Sequence, residues 1–219
     1  RSLYAALMTL VLCVGMATLA LPRAYADAPA GADFAPSGVQ YEVGAVTPHG
    51  DPQQFFAIDV RNMEALTLTS DAPENPTVIN VLADSLFGGD FISDSYDSLY
   101  ALNNTSDMFV RVDTATGAMT NIGALGAPVG DGTWSGLAWD RTTGVLYASS
   151  AAAGGAHLYT IDMATGAPTS IGPVTGLTVL IDIAIEPTTG QLYGIDTATD
   201  NLYRINKATA AAELVGSLN

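Results

Sequence analysis

A fifteen-residue segment occurs three times in this chain, and nothing else limits its possible folds so strongly. Leu158 to Gly172 reads Leu-Tyr-Thr-Ile-Asp-Met-Ala-Thr-Gly-Ala-Pro-Thr-Ser-Ile-Gly, and it returns at Phe109 to Gly123 and at Leu202 to Gly216. Copies of one unit at near-constant spacing imply a repeat architecture. The first arm alternates: Tyr159 and Ile161 point one way, and Leu158, Thr160 and Asp162 the other. Val110 with Val112 and Tyr203 with Ile205 repeat the pattern. Period-2 alternation of β-branched and aromatic residues predicts a strand. An Asp-x-Ala-Thr-Gly turn follows. Asp113 and Asp162 can bond the backbone two residues on, and Gly117 and Gly166 can take the positive φ of a bulged hairpin. In the last copy Asn206 and Ala210 replace the acid and the glycine, which predicts a looser or strained turn. Pro168 in the second arm cannot donate to a ladder, so that arm is expected at a sheet edge.

A second hairpin precedes this one. Gly136 to Ala148 matches Asp182 to Gly194, each with an acid followed by x-Thr-Thr-Gly-x-Leu-Tyr. Small Ala138 and Ala184 sit mid-strand, as expected where backbones crowd. A divergent earlier copy runs from Gly89-Asp-Phe-Ile to Ser98-Leu-Tyr-Ala101. Leu99, Leu146 and Leu192 are 47 and 46 residues apart. Four short strands in such a period are the pattern of a propeller blade. The expected fold is therefore all-β, a β-propeller of four-stranded antiparallel blades. The expected blades are 39–74, worn, with a strand at 39–46 and a loop from Asp71 to Pro76, then 77–127, 133–173 and 177–219. Propellers close with typically 4–8 blades. With one of its four units worn, the chain is read as an incomplete propeller, part of a longer protein.

The first 26 residues read as a leader. Arg1 precedes an apolar run from Leu3 to Leu21, and Ala24-Tyr25-Ala26 is a small-x-small cleavage site. The rival is a membrane anchor, since the run is about long enough to span. Leu12 before Cys13 argues against a lipoprotein signal. Residues 27–38 form an Ala/Pro/Asp-rich linker. Cleavage after Ala26 would leave 193 residues without cysteine, with 5 basic and 22 acidic side chains. That balance argues against nucleic acid and against anionic membrane as partners. It fits a solvated surface, or calcium held by some of the acids.

The run Gly88-Gly-Asp-Phe-Ile92, Leu99-Tyr-Ala-Leu102, Val112-Asp-Thr-Ala-Thr-Gly117, Thr133-Trp-Ser-Gly-Leu137, Leu146-Tyr-Ala-Ser-Ser150 and Ile181-Asp-Ile-Ala-Ile185, with the middle segment above, resembles a known type of module. It is similar to the N-terminal β-propeller modules of large secreted bacterial proteins, some placed ahead of subtilisin-like peptidase or adhesion-type domains. More loosely it resembles quinoprotein-like and NHL-like propeller repeats. The resemblance covers about residues 85 to 219. It implies a propeller, export and further domains in the same chain, and it carries no catalytic residues.

Direct searches for chemistry give little. Gly132-Thr-Trp-Ser-Gly136 puts the serine one position too late for a nucleophile elbow. His49 and His157 lack His or Cys partners at metal spacing and read as loop histidines. Asn103-Asn-Thr105 is a glycosylation sequon in form. The candidate site residues are Asp90 and Asp182, acids on expected innermost strands. They would either ligate calcium or a polar ligand, or bond backbone amides at blade junctions. Trp134 would offer an aromatic surface to a glycan or peptide, or fill a gap between blades. Three functions follow: a non-catalytic interaction or spacer module with a protein or glycan partner, a calcium-dependent hydrolase or lyase, or a carbohydrate- or peptide-binding module. The first is preferred, because no nucleophile or metal constellation is legible and fold alone carries no function.

Overall fold

The computed structural model describes residues 10–11, 53–93, 95–177 and 179–218. The protein is all-β, with four antiparallel four-stranded sheets arranged as the four blades of a β-propeller. The first sheet orders β1 (Leu10–Val11), β2 (Gln54–Asp59), β3 (Glu64–Thr69) and β4 (Ala72–Val81). The second holds β5 (Leu86–Phe91), β6 (Ser98–Asn103), β7 (Met108–Asp113) and β8 (Met119–Ala124). The third holds β9 (Thr133–Asp140), β10 (Val145–Ala152), β11 (Gly155–Ile161) and β12 (Pro168–Val174). The fourth holds β13 (Leu180–Ile185), β14 (Leu192–Asp196), β15 (Asn201–Ile205) and β16 (Ala212–Ser217). Leu10 and Val11 pair antiparallel with Asp59 and Ile58. The rest of the expected leader, the linker and the expected strand at 39–46 lie outside the described residues.

Sheets stack face to face, which explains why strands such as β7 are buried on both sides. Phe56, Ile58 and Ala65 of the first sheet pack with Leu99, Val110 and Val112 of the second. Leu102 and Phe109 pack with Trp134, Leu146, Tyr159 and Ile161 of the third. Tyr147 and Leu158 pack with Leu180, Leu192, Ile205 and Ala210 of the fourth. Each large side chain so buried contributes about 1.5–3 kcal/mol, so most of the stability lies between blades. The innermost strands β5, β9 and β13 run side by side. Glycine marks their close approach. A Cβ on Gly136 would stand 2.6 Å from the Ile183 nitrogen, and one on Gly88 3.0 Å from Gly136.

The repeated turn follows from its sequence. Asp113 Oδ1 accepts the N–H groups of Ala115 at 3.0 Å and Thr116 at 2.8 Å. Asp162 does the same for Ala164 and Thr165, both at 2.9 Å. The third copy differs from the expectation of a looser turn. Asn206 Oδ1 accepts from Ala208 at 2.9 Å and Thr209 at 3.1 Å, because an amide oxygen caps as a carboxylate does. What remains is strain, since Ala210 stands at φ 58° where its counterparts are glycine. Pro168 opens β12, the outermost strand, as its missing N–H requires.

Two expectations are corrected. The first boundary moves from 74 to 81, because β4 completes the first sheet and the supposed loop Asp71 to Pro76 enters that strand. The ladder passes from Thr69↔Ala72 to Thr67↔Thr77 with a register shift, so Pro73 and Pro76 bulge out of an edge strand, where a proline is tolerated. His157 lies inside β11, opposite Ser150, not in a loop.

Candidate site at the innermost strands

The two acids do sit on innermost strands, Asp90 on β5 and Asp182 on β13. They are not equivalent positions of the repeat. Asp90 faces Tyr100 as Ala138 faces Tyr147 and Ala184 faces Tyr193. Asp182 stands instead where the third sheet has Gly136. Asp90 Oδ1 accepts the N–H of its neighbour Phe91 at 2.7 Å, and Oδ2 accepts that of Trp139 at 2.7 Å. Both oxygens thus join backbone, and the second bond clips the second sheet to the third. Burial pushes the Asp90 carboxyl up, and the two amides and the charge of Arg141 only partly offset it.

Asp182 Oδ1 accepts the Ile183 N–H at 2.8 Å. Solvent reaches this side chain, yet protein crowds it: its Oδ1 and the Ser149 Oγ each lie 2.8 Å from where a Gly136 Cβ would stand. Ser149 Oγ is 3.0 Å from Ser135 Oγ, and both serines are buried. The result is a small polar cluster where β9 meets β13. Burial, less the Ile183 amide and with the charge of Asp90 added, pushes the Asp182 carboxyl up to about 7. A carboxyl that titrates near neutrality can hold and release a proton. Ser149 is 0% exposed, so it is not placed to attack a substrate.

The raised value has a sign that can be tested. The folded state prefers neutral Asp182, so its contribution is fully present below the ordinary value of 3.8 and is lost as pH rises from there through about 7. A full shift of this size is worth about 4 kcal/mol, but solvent screening at a reachable carboxylate reduces it to about 1 kcal/mol. Asp182→Asn is therefore expected to gain about 1 kcal/mol over the parent at pH 8 and little at pH 4. Urea titrations at the two pH values check it, and a pH-independent difference would refute it.

Trp134 is 1% exposed. Its indole N–H donates to the Gly126 carbonyl at 3.0 Å, and its ring meets Tyr159 edge-on at 4.9 Å. Asn104 Nδ2 donates to the Trp134 carbonyl at 2.8 Å, and Asn104 Oδ1 accepts the Trp134 N–H at 3.0 Å. The ring fills the gap between the second and third sheets and has no free face for a sugar. The sequon is closed by the same region. Asn103 is 0% exposed and donates to Asp84 at 2.8 Å, while its Oδ1 accepts from Thr105 and Ser106.

Sequence reasoning missed the ion pair between the third and fourth sheets. Asp140 is 0% exposed and accepts from Lys207, from the Thr142 N–H at 2.9 Å, and from the hydroxyls of Thr142 at 2.6 Å and Thr143 at 2.7 Å. Burial works to raise its pKa, but Lys207 and the two threonines outweigh that and hold it far below the ordinary carboxylate range. Lys207 also lies 5.9 Å over the Tyr147 ring. The partners are 67 residues apart, and the only available signal was an acid at the head of a Thr-Thr-Gly turn. A buried orphan was missed too: His157 Nδ1 has no hydrogen-bond partner. Among the described residues no group of three or more His, Cys, Asp or Glu is placed to hold a metal ion.

Comparison with known proteins places this geometry in context. The model of a repeat of unknown function, DUF6923, matches residues 93–218, more than half of the chain. No curated protein matches. Among solved structures, the nidogen/laminin complex aligns with a TM-score of 0.57 at 16% identity, over 77% of this chain and 63% of that one. A protein of unknown function from Bacteroides thetaiotaomicron VPI-5482 aligns with 0.56 at 17%, over 74% and 40%. The calcium-binding protein regucalcin from Agrobacterium tumefaciens str. C58 aligns with 0.52 at 18%, over 74% and 54%. At these identities the likeness is one of fold. The chain spans less than two thirds of the length of each of these structures.

Proposed function

The chain belongs to the DUF6923 family of repeats, and on that footing we propose that it is a non-catalytic interaction or spacer module of a longer secreted protein. The observation that carries this reading is where the acids go. Asp90 clips the second sheet to the third through a backbone amide, Asp140 ties the third to the fourth through Lys207, and Asp113, Asp162 and Glu186 cap their own turns. These five carboxylates hold the array and its turns together. Export by a leader cleaved near Ala26, which would remove β1 and leave the first sheet with β2, β3 and β4, and a protein or glycan partner belong to the same proposal. The strongly acidic composition supports the exclusion of nucleic acid. The expected result is that the purified chain turns over no lactone, ester or peptide in a broad panel. Turnover that Asp182→Ala abolishes would overturn it.

One observation favours a second reading. Asp182, with a carboxyl near neutrality beside Ser149, is the kind of group a calcium-dependent hydrolase or lyase would use. That reading expects saturating calcium to raise the melting temperature and a chelator to lower it. An unchanged melting temperature removes it.

A further inference from the structure

We infer that the leader and residues 39–46 compete for one strand site, and that leader removal passes the place of β1 to residues 39–46. This rests on the leader cleavage proposed above. The site is the inner edge of β2. Leu10 and Val11 hold it by pairing antiparallel with Asp59 and Ile58. They cover only part of it. Among the described residues nothing pairs with that edge along Phe55, Phe56 and Ala57, whereas β13 follows β14 from Asp196 to Leu192. Beside the gap lies an apolar cleft lined by Ile58, Leu86, Gly88, Gly89, Leu99 and Ala101. Cleavage near Ala26 would bare the whole edge, and an open strand edge calls for a partner.

The fourth sheet identifies the occupant. Phe55-Phe-Ala-Ile-Asp59 of β2 corresponds to Leu192-Tyr-Gly-Ile-Asp196 of β14. The two acids act alike: Asp59 Oδ1 accepts the Arg61 N–H at 2.9 Å, and Asp196 Oδ1 accepts that of Ala198 at 2.8 Å. Ahead of β14 stands Ala184-Ile-Glu-Pro187, and ahead of β2 stands Ala45-Val-Thr-Pro48, which lies outside the described residues. The register of the fourth sheet, laid on this match, pairs Val46 with Phe55, Ala45 with Phe56, Gly44 with Ala57 and Val43 with Ile58. Val43 then falls where Val11 now stands, and the other three cover the bare stretch. The direction agrees, since β1 runs antiparallel to β2 as the first arm of a hairpin must. Connection agrees as well. Eight residues, 47–54, join Val46 to Phe55, with Pro48, Gly50 and Pro52 as turn formers. Val11 reaches Ile58 across 46 residues, 12–57, and the shorter loop closes at lower entropic cost.

Amide hydrogen exchange, read by mass spectrometry on a peptide spanning 39–47, tests this in two forms of the protein: the full chain, and its product after leader cleavage in an exporting host. If the host leaves the leader in place, the export reading fails and a chain begun at Asp27 takes the second role, so the two failures are told apart. The expected result is that 39–47 exchanges at least tenfold more slowly without the leader. Val43→Pro, which puts a proline inside the strand, should abolish that protection and lower the urea midpoint of the leaderless form while leaving the full chain's midpoint unchanged. The inference is overturned if 39–47 exchanges at the same rate in both forms, whether fast or slow, or if Val43→Pro leaves the protection intact. It is also overturned if the leaderless form fails to fold, since nothing then replaces β1.

Discussion

Gly123→Ala is expected to destabilise the protein by about 3 kcal/mol, at the upper end for overpacking substitutions. A Cβ on Gly123 would stand 1.8 Å from the Thr165 carbonyl oxygen and 2.6 Å from its carbon. Those are backbone atoms of the Ala-Thr-Gly turn of the next blade, and they cannot rotate aside. The turn is itself pinned by Asp162, and Gly166 in it lies against Gly123 in return: its own Cβ would meet the Gly123 oxygen at 2.8 Å. The methyl group can be housed only by moving the third sheet off the second, which opens the cluster around Phe109 and Trp134. Gly216 is the control. It pairs with Leu202 as Gly123 pairs with Phe109, but no atom lies within 4 Å of its would-be Cβ. Gly216→Ala should change stability by no more than about 0.5 kcal/mol. Urea unfolding of both variants decides it, and equal losses would mean that the turn does not seat on β8.

Asp140→Ala is expected to cost about 3–5 kcal/mol, the range for breaking a buried ion pair. The loss has two sources. The turn loses the acceptor for the Thr142 amide and for two threonine hydroxyls, and the third sheet loses its tie to Lys207 of the fourth. Lys207→Met should cost less, because the threonine donors still hold the carboxylate. A double-mutant cycle should show coupling of about 0.5–3 kcal/mol. The pH dependence is opposite to that of Asp182. The folded value is depressed, so the stabilisation is present above the ordinary carboxylate value and is lost as pH falls through the folded one. Parent and Asp140→Ala stabilities should therefore converge in strong acid. A gap that is constant from pH 7 to pH 2 would show that packing, not charge, is what the substitution removes.

Local chemistry was legible because it is local. The Asp113 and Asp162 turns, the strands on either side of them and the edge position of Pro168 each depend on residues within a few positions of one another. The worn first blade shows the limit. Asp71 to Pro76 carries two prolines and reads as loop, with the next residues opening the second blade, and only pairing with β3 makes Ala72 to Val81 one strand of the first sheet. The candidate acids show it again. Asp90 and Asp182 were found by the oddity of a carboxyl among apolar neighbours. That oddity does not say that Asp90 joins Trp139, or that Asp182 takes the place of a glycine. From sequence Trp134 fits both a binding surface and a filler, and only the fold brings its indole N–H to the Gly126 carbonyl.

Spacing and turn residues by themselves determined that the chain forms repeated four-stranded units, because hairpin geometry is encoded within each copy. Tertiary structure alone decided which carboxylates are clips and which are caps, and where glycine is obligatory. The reason is physical: those properties arise where one unit meets the next, and the partners at each junction lie tens of residues apart in the chain.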